Sequence, residues 1–401
     1  MKFRKLSMPF WCVANPVGDP FGPPVMDRVT SLETADLLCR ARQEKLIDFT
    51  AAHDDDLVAW DPAHPEDDLD PGSEAGRTLA ALKEKLDAAE LRMIMVTCSL
   101  HGNPVFRDGG LANPSAEVRL LAAKKVMRTV RIGNFFGAEY LTYWVARDGF
   151  ETQFAVPWER TYRYLTEGLN LASRYALEQG GSIRHGTIEP KPNEPRGEMF
   201  LPTTGHALAM ISMLETPSFW GVNPELLQHE GMTNLSASVP AAMAAHAGKL
   251  FFLHLGNQKP GQFDNDLPVM VGMDGLKELV GLLWLLDRMG WQGHIEFDNH
   301  VVRSDTAPGR ENGNRIRMDF IRQNVENYRL AEKKSKDLAA DADIGKWMTG
   351  LWDREPAVAK VLSAGDPSAI AKTPVDYEKV NSTPLHIARL DTLVTRKLLG
   401  P

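Results

Sequence analysis

Short apolar or β-branched runs alternate with longer amphipathic stretches along most of the chain, and no other feature restricts the possible fold as much. The strand-like runs are 9–13, 47–50, 93–97, 140–144, 185–189, 220–223, 250–255 and 294–297. The stretches that follow them, 31–44, 74–88, 114–136, 157–178, 204–214, 236–247, 275–288 and 315–330, carry apolar residues at helical spacing. The first of these opens with Thr30-Ser31-Leu32-Glu33, a capping box with Thr30 as N-cap and Glu33 at the positive end of the helix dipole. Eight strand-then-helix units in succession predict an α/β chain folded as a (β/α)8 TIM barrel rather than an open sheet.

A length of 401 residues would by itself allow two or three domains. The eight units instead place residues 1–334 in one barrel domain. Residues 335–401 change character, with charges, prolines and scattered helical patterns but no strand-like alternation. Apolar positions in HIARLDTLVTRKLLG recur at helical spacing, yet so short a segment builds no core of its own. It is expected to be an extended helical and loop tail that wraps a neighbouring subunit.

Apolar residues at 43% and charged ones at 24% exclude a disordered chain, a fibre and a coiled coil. Forty-five basic against 53 acidic residues give a net charge of −8 without a basic stripe, which argues against nucleic acid as a partner. Three cysteines, Cys12, Cys39 and Cys98, form no C-x-x-C pair and read as buried thiols in a reducing compartment. MKFRKLSMPFWCVANP is interrupted by proline and asparagine and makes a poor signal peptide. The apolar run near 279–286 is too short to span a bilayer. A cytoplasmic protein with no membrane partner is expected. GxGxxG does not occur, so no nicotinamide cofactor is implied.

Active sites of such barrels form at the carboxyl ends of the strands. Strand two runs into His53-Asp54-Asp55-Asp56, and strand five ends in Glu189-Pro190-Lys191. Strand six leads to Glu225 and His229, strand seven to His254 and then Asp264-Asn265-Asp266, and strand eight ends in Glu296-Phe297-Asp298. Each has an ordinary reading when taken singly: a solvated Asp-x-Asp loop, an acidic helix cap, a core histidine in FFLHLGN. Together they gather carboxylates and imidazoles at one mouth, where like charges in a low dielectric repel strongly. Divalent cations relieve that repulsion, and an oxygen-rich set with one or two imidazoles suits Mg²⁺, Mn²⁺ or Co²⁺. Lys191 stands between two prolines, which bars a helix interior and favours a fixed loop role.

The segment IEPKPNEPRGEMFLPTTGHAL closely resembles the xylose isomerase family, whose members carry IEPKPNEPRGD at the fifth strand. WCVANPVGDPFG resembles that family's first-strand segment, FTAAHDDDL its histidine segment and NPVFRDGG its N/HPVFKDGG loop. GVNPELLQHEGM, AGKLFFLHLGNQ, QFDNDL and IEFDNH follow in the family's order, and KLLG matches its close. The resemblance implies a tetrameric barrel with two divalent metal ions per subunit, which opens an aldose ring and moves a hydride between C2 and C1. A homodimer is the alternative assembly, and the partner of the site is a monosaccharide substrate.

Carried over residue by residue, the resemblance gives His53 a part in ring opening, with Asp56 orienting its imidazole. A carboxylate on one ring nitrogen fixes the tautomer and leaves the other nitrogen to exchange protons. Glu189 and Asp298 would serve the first metal, Glu225 both, and His229, Asp264 and Asp266 the second. Lys191 would donate to the substrate's C1 oxygen. Trp11 and Trp144 would form apolar walls and Phe21 would reach into a neighbour's pocket; ordinary core packing is the alternative for these aromatics.

Four departures from the family pattern stand out. The seventh strand of the family reads FHIDLNGQ with a metal-binding aspartate, where this chain has His254. His101 replaces a phenylalanine before PVF, and His300 replaces the lysine of FDFK. NPELLQHE holds one residue more between Glu225 and His229. An imidazole at 254 should shift the metal preference from Mg²⁺ towards softer ions, and the added imidazoles predict a substrate other than D-xylose alone. A sugar epimerase and a metal-dependent hydrolase on the same barrel are the competing readings.

Overall fold

The structure, a computed structural model, describes residues 4–16, 19, 21–64, 68–272, 275–352 and 354–400. Its main sheet is built from β1 Leu6–Ser7, β2 Phe49–His53, β3 Arg92–Thr97, β4 Tyr140–Trp144, β5 His185–Glu189, β6 Trp220–Val222, β7 Phe252–Leu255 and β8 His294–Phe297. Neighbours pair in parallel in the order β6-β5-β4-β3-β2-β1-β8-β7. The ring closes where β6 meets β7, through the bridges Val222↔Leu250 and Glu225↔His254. Val222 N donates to Lys249 O at 2.7 Å and His254 N to Pro224 O at 3.3 Å across this seam.

The strands are joined by α1 Ser31–Gln43, α2 Glu74–Ala88, α3 Ala116–Phe136, α4 Trp158–Gln179, α5 Thr204–Ser212, α6 Ser238–His246 and α7 Leu276–Arg288, with α8 Arg310–Ala339 after the last. This is the (β/α)8 TIM barrel. Thr30 and Glu33 form the expected reciprocal capping box on α1. Helix α3 starts two residues later than its pattern suggests, because Ser115 supplies the cap by accepting from Val118 N. Helix α8 runs past residue 330 because buried Tyr328, Ala331, Ser335 and Leu338 continue its helical spacing.

One strand expectation fails. Residues 9–13 are not β1; most of them lie in the short helix Phe10–Ala14. Met8 N still pairs with Phe49 O at 3.3 Å, but Pro9 has no N–H to extend the ladder and becomes the N-cap of that helix.

The chain divides into two compact units, Met1–Arg329 and Leu330–Pro401. The second carries the helices Ala342–Trp352, Pro356–Ala364, Pro367–Lys372, Tyr377–Ser382 and Ile387–Leu399. Within it Lys397 pairs with Asp341 at 2.7 Å, while Leu362, Val375, Tyr377, Val380 and Ile387 are exposed. Among the described residues no helix is long and apolar enough to cross a membrane.

The acidic turn after β2 is anchored from behind. Asp54 is fully buried, accepts from Ser99 N at 2.8 Å and meets Lys125 and Arg128 of α3, which are also fully buried. Asp55 lies 2.8 Å from Lys125, and Asp68 lies 2.6 Å from Arg128. Burial would raise the Asp54 carboxyl, but Lys125 and Arg128 outweigh it and hold it below its ordinary 3.8. Asp55, sharing those cations, is pushed up by burial and by Asp54.

Replacing Lys125 by methionine strips a buried carboxylate of one cation and should cost about 3 kcal/mol at neutral pH, measured as a lowered urea midpoint. Because Asp54 titrates lower folded than unfolded, its contribution is complete above the ordinary carboxyl value and is lost as the pH falls through the depressed one. The stability gap between wild type and K125M should therefore narrow in acid. A gap that widens would contradict the assigned network.

Candidate active site

At the carboxyl end of the barrel the strand ends and their loops enclose a cavity of about 580 Å³. One wall is formed around His53, the N-cap of the one-turn helix Asp54–Leu57. Asp56 Oδ2 accepts from the His53 backbone N at 2.7 Å and lies 3.1 Å from its Nδ1. Trp11 packs on this imidazole with ring centres 4.5 Å apart, and His101 lies 5.4 Å away on another side. His101 in turn meets Trp144 edge-on at 4.9 Å. Burial would lower the His53 pKa, but the Asp56 carboxylate outweighs it, so the ring titrates above its ordinary 6.5. Among the described residues no carboxylate is hydrogen-bonded to the His101 ring. Burial, with His53 beside it, pulls its pKa down to about 3, which keeps the ring neutral.

Another part of the lining is acidic. Glu225 Oε2 lies 2.7 Å from His229 Nε2, and Asp264 Oδ2 lies 3.4 Å from the same atom. His229 Nδ1 donates to Pro190 O at 2.8 Å; a carbonyl only accepts, so Nε2 is the atom left for a ligand. Lys191 Nζ sits 2.7 Å from Asp264 Oδ2. Burial would lower this lysine, but Asp264 and Asp266 more than compensate and keep it an ammonium. His254 Nδ1 lies 3.1 Å from Asp298 Oδ2 and 3.4 Å from Glu189 Oε1.

The extra residue between Glu225 and His229 is absorbed by a π-helical turn, Leu226–Glu230. The wider turn brings His229 back onto Glu225, so the insertion does not separate the pair. It also aims Gln228 at the site, where its amide donates to Asp266 Oδ1 at 3.1 Å and to Asp298 O at 2.8 Å. Gly256 permits this approach, since a Cβ there would lie 2.4 Å from the Gln228 side-chain oxygen.

Among the described residues, three groups place ligand atoms within 4.8 Å of one another: Glu189, His254 and Asp298; Glu189, Glu225 and His229; and Glu225, Asp264 and Asp266. Glu225 Oε1 and Asp264 Oδ1 are buried with no hydrogen-bond partner among the described residues, and burial pushes the Glu225 carboxyl up to about 8. Burial and the neighbouring Asp264 likewise raise Asp266 well above its ordinary value. Orphaned carboxylate oxygens in an interior are costly unless a cation takes them. Carboxylates with one imidazole in each of the first two groups fit a divalent ion.

Residues 47–323 match the family model of the xylose isomerase-like TIM barrel. The chain belongs to that family. A xylose isomerase from Thermus caldophilus is 30% identical over 400 residues, which are 99% of this chain and 97% of the relative. A putative xylose isomerase from Rhodospirillum rubrum superposes with a TM-score of 0.58 at 14% identity, covering 80% of this chain and 98% of that one. A D-psicose 3-epimerase from Clostridium cellulolyticum, solved with D-tagatose, gives 0.56 at 10% identity, covering 81% and 99%. These two likenesses establish the shared fold. The family is that of the xylose isomerase-like barrels, and the full-length curated relative is a sugar isomerase.

Within this family frame, most residues singled out in the sequence come together. The cavity lining includes Trp11, His53, Asp56, His101, Trp144, Glu189, Lys191, Glu225, His229, Asp264, Asp266, Asp298 and His300, with His254 against Glu189 and Asp298. Phe21 does not line it and is 72% exposed. Trp11 is more than an apolar wall, since its Nε1 donates to Asp298 Oδ1 at 2.7 Å. His300 Nε2 lies 3.6 Å from Asp266 Oδ2, and its Nδ1 is buried without a hydrogen-bond partner. Sequence reasoning gave no role to Asn223 or Gln228, and placed Glu296 among the acidic strand ends without assigning it a function. Only Glu296 had a readable signal, standing two strand positions before Asp298 and thus on the same face.

Asp56→Asn removes the charge that outweighs the burial of His53. In ¹⁵N-histidine NMR titrations the wild-type ring should titrate above 6.5 and the D56N ring below it. The reverse order would refute the assigned pairing.

Proposed function

We propose that the chain is an aldose–ketose isomerase that shifts a hydride within its substrate, and that this substrate is not D-xylose alone. The observation that carries this reading is one cavity in which ligand groups sharing Glu189 and Glu225 face the His53–Asp56 pair and the buried Lys191 ammonium. Glu189, Glu225, His254 and Asp298 would hold one divalent ion, and Glu225, His229, Asp264 and Asp266 a second. Such ions, Mg²⁺, Mn²⁺ or Co²⁺, polarise the oxygens of an open-chain sugar and so lower the barrier to the shift.

The chain's own residues supply the remaining steps. His53, oriented by Asp56, moves a proton at the ring oxygen as the cyclic sugar opens. Lys191 donates a hydrogen bond to the C1 oxygen and holds that end of the chain. Trp11 and Trp144 flank the reacting carbons and exclude water. His101 and His300 present polar atoms where the family resemblance has phenylalanine and lysine, which favours a hexose, a deoxy sugar or another stereoisomer.

The proposed assembly is a cytoplasmic homotetramer or homodimer. The exposed Phe21 would enter a neighbour's pocket. Residues 335–401 would lie on a neighbouring subunit, which would cover exposed Leu362, Tyr377 and Ile387. The three buried free thiols suit a reducing compartment.

An epimerase would need two facing bases at one carbon, and a hydrolase an activated water. The backed histidine and the charged lysine favour the isomerase. Turnover on a panel of aldoses with Mg²⁺, Mn²⁺ and Co²⁺ in D₂O tests each part. The expected result is best turnover on an aldose other than xylose, with no solvent deuterium on product carbon. Deuterium incorporation would indicate proton-transfer epimerisation instead, and best activity on xylose with Mg²⁺ would overturn the substrate assignment.

A further inference from the structure

Glu296 is a fully buried carboxylate in β8 that belongs to none of the ligand groups. Its Oε1 lies 3.1 Å from His254 Nε2, and the Ser7 hydroxyl donates to its Oε2. Asn223 reaches the same His254 nitrogen at 3.0 Å with its amide nitrogen, while its Oδ1 is buried without a partner. Turning that amide over places an acceptor against Nε2 and satisfies the orphan oxygen. Both neighbours then accept from a hydrogen on Nε2, and Nδ1 is left facing Asp298 and Glu189.

We propose that Glu296 is a positioning residue: it holds a hydrogen on Nε2 of His254 so that Nδ1 is the atom offered to the cation. The proposal rests on the metal-binding reading above. His229 is turned the opposite way, with its Nδ1 fixed by Pro190 O and its Nε2 offered. The two imidazoles are thus oriented by acceptors on opposite ring nitrogens. Glu296 also returns, directly behind the ring, the negative charge that is missing where the family resemblance has an aspartate. A carboxylate behind a ligating imidazole raises its basicity, which favours Mn²⁺, Co²⁺ or Zn²⁺ over Mg²⁺ at this position.

The test uses the full-length, ¹⁵N-histidine-labelled protein loaded with ¹¹³Cd²⁺. One histidine should couple to cadmium through Nδ1 and another through Nε2, and His254→Asp should abolish the Nδ1 coupling alone. Glu296→Gln should weaken Mn²⁺ binding at one site about 10–100-fold by titration calorimetry. The same substitution in an H254D background should change binding little, because Glu296 acts through the ring. Unaltered Mn²⁺ affinity in E296Q, or cadmium coupling to Nε2 of His254, overturns the positioning role and leaves the metal site standing. Failure of the wild type to bind either ion would instead sink the metal-binding reading and this proposal with it. Should E296Q not fold, the wild-type coupling pattern decides.

Discussion

The crowding of Glu189, Glu225, Asp264, Asp266, Glu296 and Asp298 into one barrel mouth is the constraint around which the rest of the site is arranged. In an interior of low dielectric such charges must be paired, protonated or bound to cations. The chain supplies a partner for most of them: Lys191 for Asp264, His229 for Glu225, and His254 between Glu189, Asp298 and Glu296. Among the described residues, what it leaves without a hydrogen-bond partner are single oxygens of Glu225 and Asp264, two residues of one ligand group. Protonation satisfies them in part, as the raised Glu225 carboxyl shows, and a cation would satisfy them fully; either way a rigid frame must hold the carboxylates together. Parallel strands that deliver their ends to one rim provide that frame.

The same residues sit where the barrel closes. The seam between β6 and β7 is made by isolated bridges rather than a continuous ladder, and one of these joins Glu225 to His254. A ring whose last join carries metal-ligand candidates couples the geometry of the site to the closure of the fold. The π-helical turn after Glu225 belongs to this logic. It lengthens the chain by one residue at the seam without losing the contact between Glu225 and His229, and the added length brings the Gln228 amide onto Asp266 and Asp298.

Much of the barrel and the membership of the site were legible in the sequence, for a physical reason. Strand ends follow from local periodicity, and residues just past them must share a rim, so His53, Glu189 and Asp298 could be placed together without coordinates. Partnerships across long separations were not legible. Asp54 and Lys125 stand 71 residues apart, and nothing local shows that an acidic turn faces a buried lysine rather than water. The alternation of β8 puts Glu296 beside Asp298, but its purpose depends on His254 arriving in the adjacent strand at matching register. Pro9 misled the reading of β1 because its apolar surroundings outweighed its missing donor.

His53 and His101 show how one residue type takes different parts within 5.4 Å. Asp56 stands behind the first and keeps it proton-hungry, whereas burial and the neighbouring His53 keep the second neutral. A neutral imidazole in place of a phenylalanine adds a hydrogen-bonding edge to the cavity without adding charge. His300 does the reverse. It stands where a family lysine would carry a fixed charge, and burial lowers its pKa, so positive charge is withdrawn beside Asp266. At 254 an imidazole nitrogen stands beside Glu189 and Asp298 where the family resemblance has an anionic oxygen. The changes thus act on separate quantities: at 101 a hydrogen-bonding edge is added, and at 254 and 300 the charge beside the clustered carboxylates is altered.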